Sequence, residues 1–266
     1  MEAPSRVGIV VALAIEARTL ARRAPAADEL VLLPSGALLA MSGMGLEAAE
    51  HDARALIDAG CTALASWGLA GALDPRLSPG TIVIPEVLAL EGAPELNASS
   101  AWRLQALELL DRRARVVDAE GTAGRTAGRS GVPMPAAVGG RLLTSRKALA
   151  RAAEKRNAFL TSGAVAVDME SYALAAVAAA RGLPFIAVRA IVDAAADEVP
   201  PMLLDLAGPD GRLAIGRLAA RILGSPRNFG ALLGLARRFR VARRSLRAAA
   251  GAGAPGSAPA EAQVRP

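Results

Sequence analysis

Residues 165–198 read VAVDMESYALAAVAAARGLPFIAVRAIVDAAADE, and the rest of the chain is organised around them. A short apolar strand ends at Asp168, a helix follows with Glu170 at its first turn, and Gly182 and Pro184 stop that helix. A second apolar run, Phe185 to Val192, delivers Asp193 at its C-terminal end. Ala173, Ala175, Ala176, Ala178, Ala179 and Ala180 make the helix slim enough to lie close against a sheet. In open α/β sheets ligands bind outside the carboxyl ends of the strands. A carboxylate at a helix start is additionally favoured by the backbone dipole. Glu170 and Asp193 are therefore candidates for one site; the plainer role for either is a helix cap or a strand-end carboxylate.

Working outward, Val7 to Leu13 is an uninterrupted apolar run, as expected of a strand buried on both faces. It passes into Ala14-Ile15-Glu16-Ala17 and a helix to about Arg23, which makes Glu16 a third strand-end acid. Ala37 to Ser42 reads as a strand, followed by Gly43-Met44-Gly45 and a helix from Leu46 to Ala59. A strand, a Gly-x-Gly turn and a helix start together direct free backbone N–H groups at a ligand. Ala48 stands where the third glycine of a dinucleotide fingerprint would be, which rules out a Rossmann NAD site. Thr62 to Trp67 is a strand closed by Gly68-Leu69-Ala70-Gly71-Ala72, and residues 74–80 form a turn cluster. Thr81 to Leu90 is a strand in which Pro85 marks an edge, a bulge or an end. An amphipathic helix over Ser100 to Arg113, a loop over 120–135, a strand over Val138 to Thr144 and a helix over Arg146 to Asn157 complete the alternation. The pattern predicts an α/β fold, a three-layer α/β/α domain over residues 1–199.

Composition narrows the chemistry. The 266 residues include one cysteine, Cys61, and one histidine, His51, so neither a His/Cys metal site nor a Ser-His-Asp triad is expected. The work falls to carboxylates, backbone groups and arginines, with no metal and no cofactor. A single cysteine forms no internal disulfide and fits a reducing cytoplasm. No apolar run approaches the ~18 residues of a spanning helix, and Met1-Glu2-Ala3-Pro4 leads almost directly into a strand rather than a secretory signal.

The net charge of +6 hides two regions. Residues 211–266 hold eleven arginines and one acid, Glu261, a balance of +10; the remainder, with 20 basic and 24 acidic residues, carries −4. Residues 200–249 thus read as a basic helical extension, with helices over 213–223 and 229–249, and residues 250–266 as a disordered tail. In the second helix Leu232, Leu235, Phe239, Ala242 and Leu246 form one apolar stripe, with Arg237, Arg240, Arg244 and Arg247 off it. Two readings stand: a helix packed on the body or a dimer interface, or an interfacial helix on an anionic membrane, peripheral at its inner face. Aromatic residues are only 3% of the chain, which argues against nucleic acid as the partner of this arm.

Three segments resemble the purine nucleoside phosphorylase and methylthioadenosine nucleosidase superfamily. VGIVVALAIEA is similar to the family's first strand with its acid. SGMGLEAA with WGLAGALDPRLSPGTIVIP is similar to its glycine-rich ligand loops, and DMESYALAAVAAARGLPFIAVRAIVD to its ribose- and base-binding block. The resemblance covers Val7 to Asp197 and implies a phosphorylase/hydrolase-like fold around a central mixed sheet. It implies that Glu170 accepts ribose hydroxyls beside the backbone of Met169, that Asp193 protonates the leaving purine, and that Glu16 orients water. It also implies substrate contacts from Gly43, Gly45, Gly68, Leu69, Gly71, Leu143 and Val192, and a homo-oligomer, dimer or larger. Such roles suit the chemistry, since breaking an N-ribosidic bond leaves positive charge on the sugar and negative charge on the base.

The chain departs from the nucleosidase pattern where Val192 precedes the last acid in place of Ser, where Leu69 replaces Ser, and where Leu142-Leu143-Thr144 lacks the base-stacking Phe. The phosphate-binding Gly and Arg of phosphorylases have no match around Glu16, though Arg76 or Arg141 offers an alternative anion site with phosphate as co-substrate. The basic tail and RAIVDAAADEVPP resemble the hopanoid-associated phosphorylase branch, which implies a lipid-linked purine nucleoside, adenosylhopane, as substrate. A soluble methylthioadenosine or adenosylhomocysteine nucleosidase and a catalytically silent nucleoside-binding protein are the alternatives.

Overall fold

The computed structural model describes residues 6–123, 136–199, 229–256 and 258. The expected helix over 213–223, most of the loop over 120–135 and most of the tail lie outside the described residues. In chain order the elements are β1 (Val7–Val11), α1 (Ala14–Ala17), β2 (Val31–Leu32), β3 (Leu38–Met41), α2 (Leu46–Asp58), β4 (Ala63–Ala72), β5 (Ile82–Val83), β6 (Val87–Leu90) and β7 (Leu96–Asn97). They continue with α3 (Ser100–Ala123), β8 (Ala137–Val138), β9 (Arg141–Thr144), α4 (Ala152–Ser162), β10 (Ala166–Asp168), α5 (Ser171–Ala180), β11 (Phe185–Asp193) and α6 (Phe229–Gly251).

The sheet is mixed, as the resemblance implies, and β4 is its hub. One edge of β4 pairs parallel with β1, from Val7↔Ala63 to Val10↔Ser66. The other edge pairs parallel with β11 along almost its whole length. Past Ser66, where β1 stops, β10 joins the far end of β4 antiparallel at Gly71 and Ala72. Gly68 to Ala72 is therefore strand, not the loop expected from its glycines. The one interruption in the β4–β11 ladder falls between Ile191 and Asp193, a bulge that re-aims the strand's last side chain. Pro85 splits the predicted strand over 81–90 into β5 and β6, and Gly139-Gly140 likewise separates β8 from β9. The helix expected over 146–157 lies later, at α4.

Helices cover both faces of the sheet. Alternate residues of β1, β4 and β11 (Val7, Ile9, Ala65, Trp67, Ile186, Val188) pack with Trp102, Ala106 and Leu110 of α3 and with Ala242 and Leu246 of α6. Their neighbours (Val10, Leu64, Phe185, Ala187, Ile191) pack with Ala49, Ala53 and Leu56 of α2 and with the alanine-rich α5. The small side chains of α5 admit it directly against α2 and the sheet, as its composition predicts. Cys61 is buried, and burial pushes its thiol up to about 11.

From Leu235 onward the apolar stripe of α6 is covered by the body rather than free for lipid. Leu235, Ala242 and Leu246 are buried, and Phe239 is half-buried against the same core. Arg247 donates to the carbonyl of Arg18, tying α6 to the end of α1. The turn after α6 also packs down, with Ala254 and Ala258 buried, so residues 250–256 are not the disordered segment their composition suggests. Among the described residues no helix is long and apolar enough to cross a membrane. Because Leu246 is fully buried, Leu246→Ala should cost about 2–4 kcal/mol in urea unfolding. A loss under about 0.5 kcal/mol would mean that α6 does not hold the body together.

Candidate active site

The three predicted acids converge on one cavity of about 200 Å3. Its lining includes Glu16 and Leu13 from α1 and its approach, Met44 from the turn before α2, and Leu69 and Gly71 from β4. Asp168, Met169 and Glu170 come from the β10–α5 junction, Val192 and Asp193 from the end of β11, and Phe239 from α6. Glu16, Glu170 and Asp193 are each buried to 6% exposure or less. A larger cleft of about 670 Å3, bounded by Thr19, Ser35, Ala250 and Pro255, has no carboxylate in its lining among the described residues. The carboxylate–histidine group of Asp28, His51 and Asp52 does not line the cavity either.

Glu16 is held by backbone on three sides. Its Oε2 accepts from the N–H of Ala12 (3.0 Å) and Leu13 (2.9 Å), and its Oε1 from the N–H of Leu69 (2.8 Å). Burial pushes its carboxyl up, opposed by the Arg189 guanidinium and by those three N–H groups. Glu170 sits at the N-cap of α5 but does not cap it. Its Oε1 instead accepts from the N–H of Gly45 (3.0 Å), across to the start of α2. The Gly43-Met44-Gly45 turn thus spends its amide on Glu170 rather than offering it to a ligand. The turn's backbone, with φ of 81° at Gly43 and 105° at Gly45, suits glycine at both positions.

Arg189, in the middle of β11, ties these acids together, and the sequence reading passed over it. It is 1% exposed, its guanidinium lies 2.7 Å from Asp168 and 3.8 Å from Glu170, and it donates to the hydroxyls of Ser66 and Ser171. A Cβ at Gly68 would collide with both Arg189 and Glu16, so this glycine is what allows the two to meet beside β4. The available signal was an arginine within a strand otherwise buried on both faces, a placement that demands buried carboxylate partners. Asp168 is one such partner, further held by the Thr144 hydroxyl (2.7 Å).

Asp193 has a cation of its own. Lys155 of α4, fully buried, donates to its carboxylate. Burial nevertheless pushes the Asp193 carboxyl up, against the pull of Lys155.

Three expected contributors lie elsewhere. Leu143 packs with Leu73, Ala164 and Val167 rather than lining the cavity, because the chain turns away after β9 and presents Lys147, Ala148 and Leu149 instead. Arg76 and Arg141 make no anion site there: Arg76 is bonded to Asp74 and Arg141 to Glu95, both outside the cavity. Gly68 and Gly45 act through Arg189, Glu16 and Glu170, and Gly43 shapes the turn.

Residues 6–223 match the family model described as the Phosphorylase superfamily. The chain belongs to that superfamily. Membership places it among enzymes of the nucleosidase and nucleoside phosphorylase class. Solved structures share the fold at low identity. The methylthioadenosine/S-adenosylhomocysteine nucleosidase of Helicobacter pylori, with butyl-thio-DADMe-Immucillin-A, superposes with a TM-score of 0.61 at 15% identity, over 94% of this chain and 99% of that one. The corresponding Neisseria meningitidis nucleosidase, with methylthio-immucillin-A, gives 0.60 at 17% identity, over 93% and 97%. Futalosine hydrolase of Helicobacter pylori gives 0.57 at 16%, over 93% and 97%. A search of curated proteins finds no match to the sequence.

The crowding of carboxylates makes stability depend on pH. Burial first, then Asp168 and Glu16, raise the Glu170 carboxyl to about 7, although Arg189 and the Gly45 N–H pull it down. Between its ordinary 4.5 and about 7 the folded chain keeps a proton that the unfolded chain releases. Glu170 therefore costs stability increasingly as pH rises through this window, with the full cost above it. Glu170→Gln should melt above the parent protein at pH 8, by the equivalent of ~1–3 kcal/mol, and lose that advantage towards pH 5. Parallel melting curves for the two proteins across this range would contradict the assignment.

Proposed function

We propose that the protein hydrolyses the N-ribosidic bond of an adenine nucleoside carrying an apolar 5′ substituent. The observation that carries this reading is the convergence of three buried carboxylates, Glu16, Glu170 and Asp193, on one largely apolar cavity. In the proposed reaction the C1′–N9 bond breaks with its electron pair staying on the purine, while the proton of Asp193 passes to N7. Glu170, hydrogen-bonded to the ribose hydroxyls beside Met169, stabilises the charge that develops on the sugar. Water held by Glu16 adds to C1′ and gives its proton to that carboxylate. Adenine and the 5′-substituted ribose leave, and solvent returns the two carboxyl groups to their starting states.

Water is preferred over phosphate on electrostatic grounds. The backbone N–H groups of Ala12, Leu13 and Leu69 converge as a phosphate site requires, but the carboxylate of Glu16 already holds them. A phosphate would have to displace or abut that negative charge.

The 5′ substituent follows from the apolar wall of Leu13, Met44, Leu69, Leu149, Val192 and Phe239. A cavity of about 200 Å3 is on the scale of a nucleoside, so a polycyclic lipid would extend beyond it past Met44, which is 39% exposed while lining the cavity. Adenosylhopane is the substrate this reading favours. The small methylthio group is the second reading, because the same wall accommodates it and the superposed nucleosidases are named for methylthioadenosine. Purified protein should release adenine from adenosylhopane faster than from methylthioadenosine, with or without phosphate. A 5′-substituted ribose 1-phosphate appearing only when phosphate is added would overturn hydrolysis, and turnover confined to methylthioadenosine would favour the second reading.

A peripheral contact with anionic membrane remains part of the proposal, now through charge alone. Arg237, Arg240, Arg244 and Arg247 are exposed along the outer side of α6, with Arg18 exposed at its α1 neighbour. Each contributes about 1 kcal/mol near an anionic surface. Co-sedimentation with phosphatidylserine vesicles should weaken as salt rises and fall in an Arg240→Glu/Arg244→Glu variant of unchanged melting temperature; absence of binding at low salt would remove this contact.

A further inference from the structure

α4 is a surface helix with one fully buried side chain, and that side chain is Lys155. Its Nζ donates to Asp193 Oδ2, to the carbonyl of Ala194 (3.0 Å) and to the carbonyl of Asp197 (2.9 Å). Three donors meet three acceptors, so the ammonium is satisfied without water. Lys155 does not line the cavity; it reaches Asp193 from behind. The loop after β11 is fastened by the same group. Asp197 Oδ2 accepts from the N–H of Ala194 (2.8 Å), and Oδ1 pairs with Arg238 of α6 (2.9 Å). The last acid is thus clamped between a lysine from α4 and an arginine-bound loop.

A purely structural clamp would not need a charge on the acid's own oxygen. A buried ammonium is costly, and apolar side chains fill such a space more cheaply. What the charge adds is specific to Asp193. Once Asp193 has given its proton to a leaving base, it is a carboxylate in a desolvated site, and a fixed cation in contact stabilises that state. The group touching this acid is then a cation across the fold rather than the residue before it, which is the aliphatic Val192.

We infer that Lys155 is a positioning residue for base release, which fixes the orientation of Asp193 and stabilises the carboxylate left after proton transfer. The inference rests on the role proposed above for Asp193. It predicts the direction of a titration. The charged groups acting on Asp193 are Lys155 from α4, Asp197 from the following loop and Arg238 from α6. Without Lys155 the carboxyl should hold its proton to higher pH.

The test compares Lys155→Met, which removes the charge, with Lys155→Gln, which keeps two donors for the carbonyls and also lacks it. Selective 13C labelling of aspartate carboxyl groups, with Asp193→Asn identifying the signal, follows the acid directly. In either variant the Asp193 titration should move up by about one pH unit or more. The alkaline limb of kcat/KM for adenine release should move the same way, and kcat at the optimum should fall ~10-fold or more with little change in KM. An unmoved titration in a folded variant overturns the inference, as does a kcat loss with an unmoved alkaline limb. Should the Met variant not fold, the Gln variant alone decides by the same readings. If the parent protein cleaves no purine nucleoside, the proposed function fails while the titration still judges the Lys155–Asp193 pair.

Discussion

A guanidinium inside a sheet is the constraint on which this structure depends. Arg189 lies in the strand that pairs with the hub strand β4 and is covered on its face by α5. A charge so placed is tolerable only with carboxylates and hydroxyls around it, and removing one partner of such a buried pair typically costs ~3–5 kcal/mol. The fold supplies Asp168, Glu170 and the more distant Glu16, with Ser66 and Ser171 filling the remaining directions. Three acids around one cation leave an excess of negative charge. Burial first, and then that excess, is why Glu170 holds its proton towards neutrality.

The second half of the site is arranged independently. Asp193 follows a bulge in β11 and belongs to Lys155, not to the Arg189 cluster. The two halves therefore carry different electrostatic instructions. The Arg189 side is over-supplied with carboxylates, whereas on the Asp193 side two acids, Asp193 and Asp197, meet two cations, Lys155 and Arg238. Burial raises the carboxyls of Glu16, Glu170 and Asp193 alike, but a different cation opposes it on each side: Arg189 for the first two and Lys155 for the last.

The C-terminal helix shows how tertiary context decides what an amphipathic pattern means. A stripe of Leu, Phe and Ala with arginines beside it satisfies the requirements of a lipid-facing helix and of a core-facing one equally. The deciding circumstance is that α3 and α6 share one face of the sheet, whose inward side chains from β1, β4 and β11 would otherwise be bare. Burying that face outweighs leaving it to water at roughly 25 cal/mol per Å2. Phe239 then becomes a wall of the cavity, and the arginines are left outward.

From sequence alone came the alternation of buried strands and helices, the close packing of an alanine-rich helix, and the acids at three strand ends. Those features are local: hydrophobic period, helix stops and side-chain size act within a few residues. Tertiary structure alone decided that Arg189 and Lys155 contact the acids, that Leu143 does not line the cavity, and that the Gly45 amide serves Glu170. It also decided that Gly68 to Ala72 extends the central strand and that the stripe of α6 faces inward. In each of these the partner lies tens to more than a hundred residues away, as with Gly45 and Glu170 or Ser66 and Arg189. A buried charge reveals its meaning only when the group that neutralises it has been brought beside it.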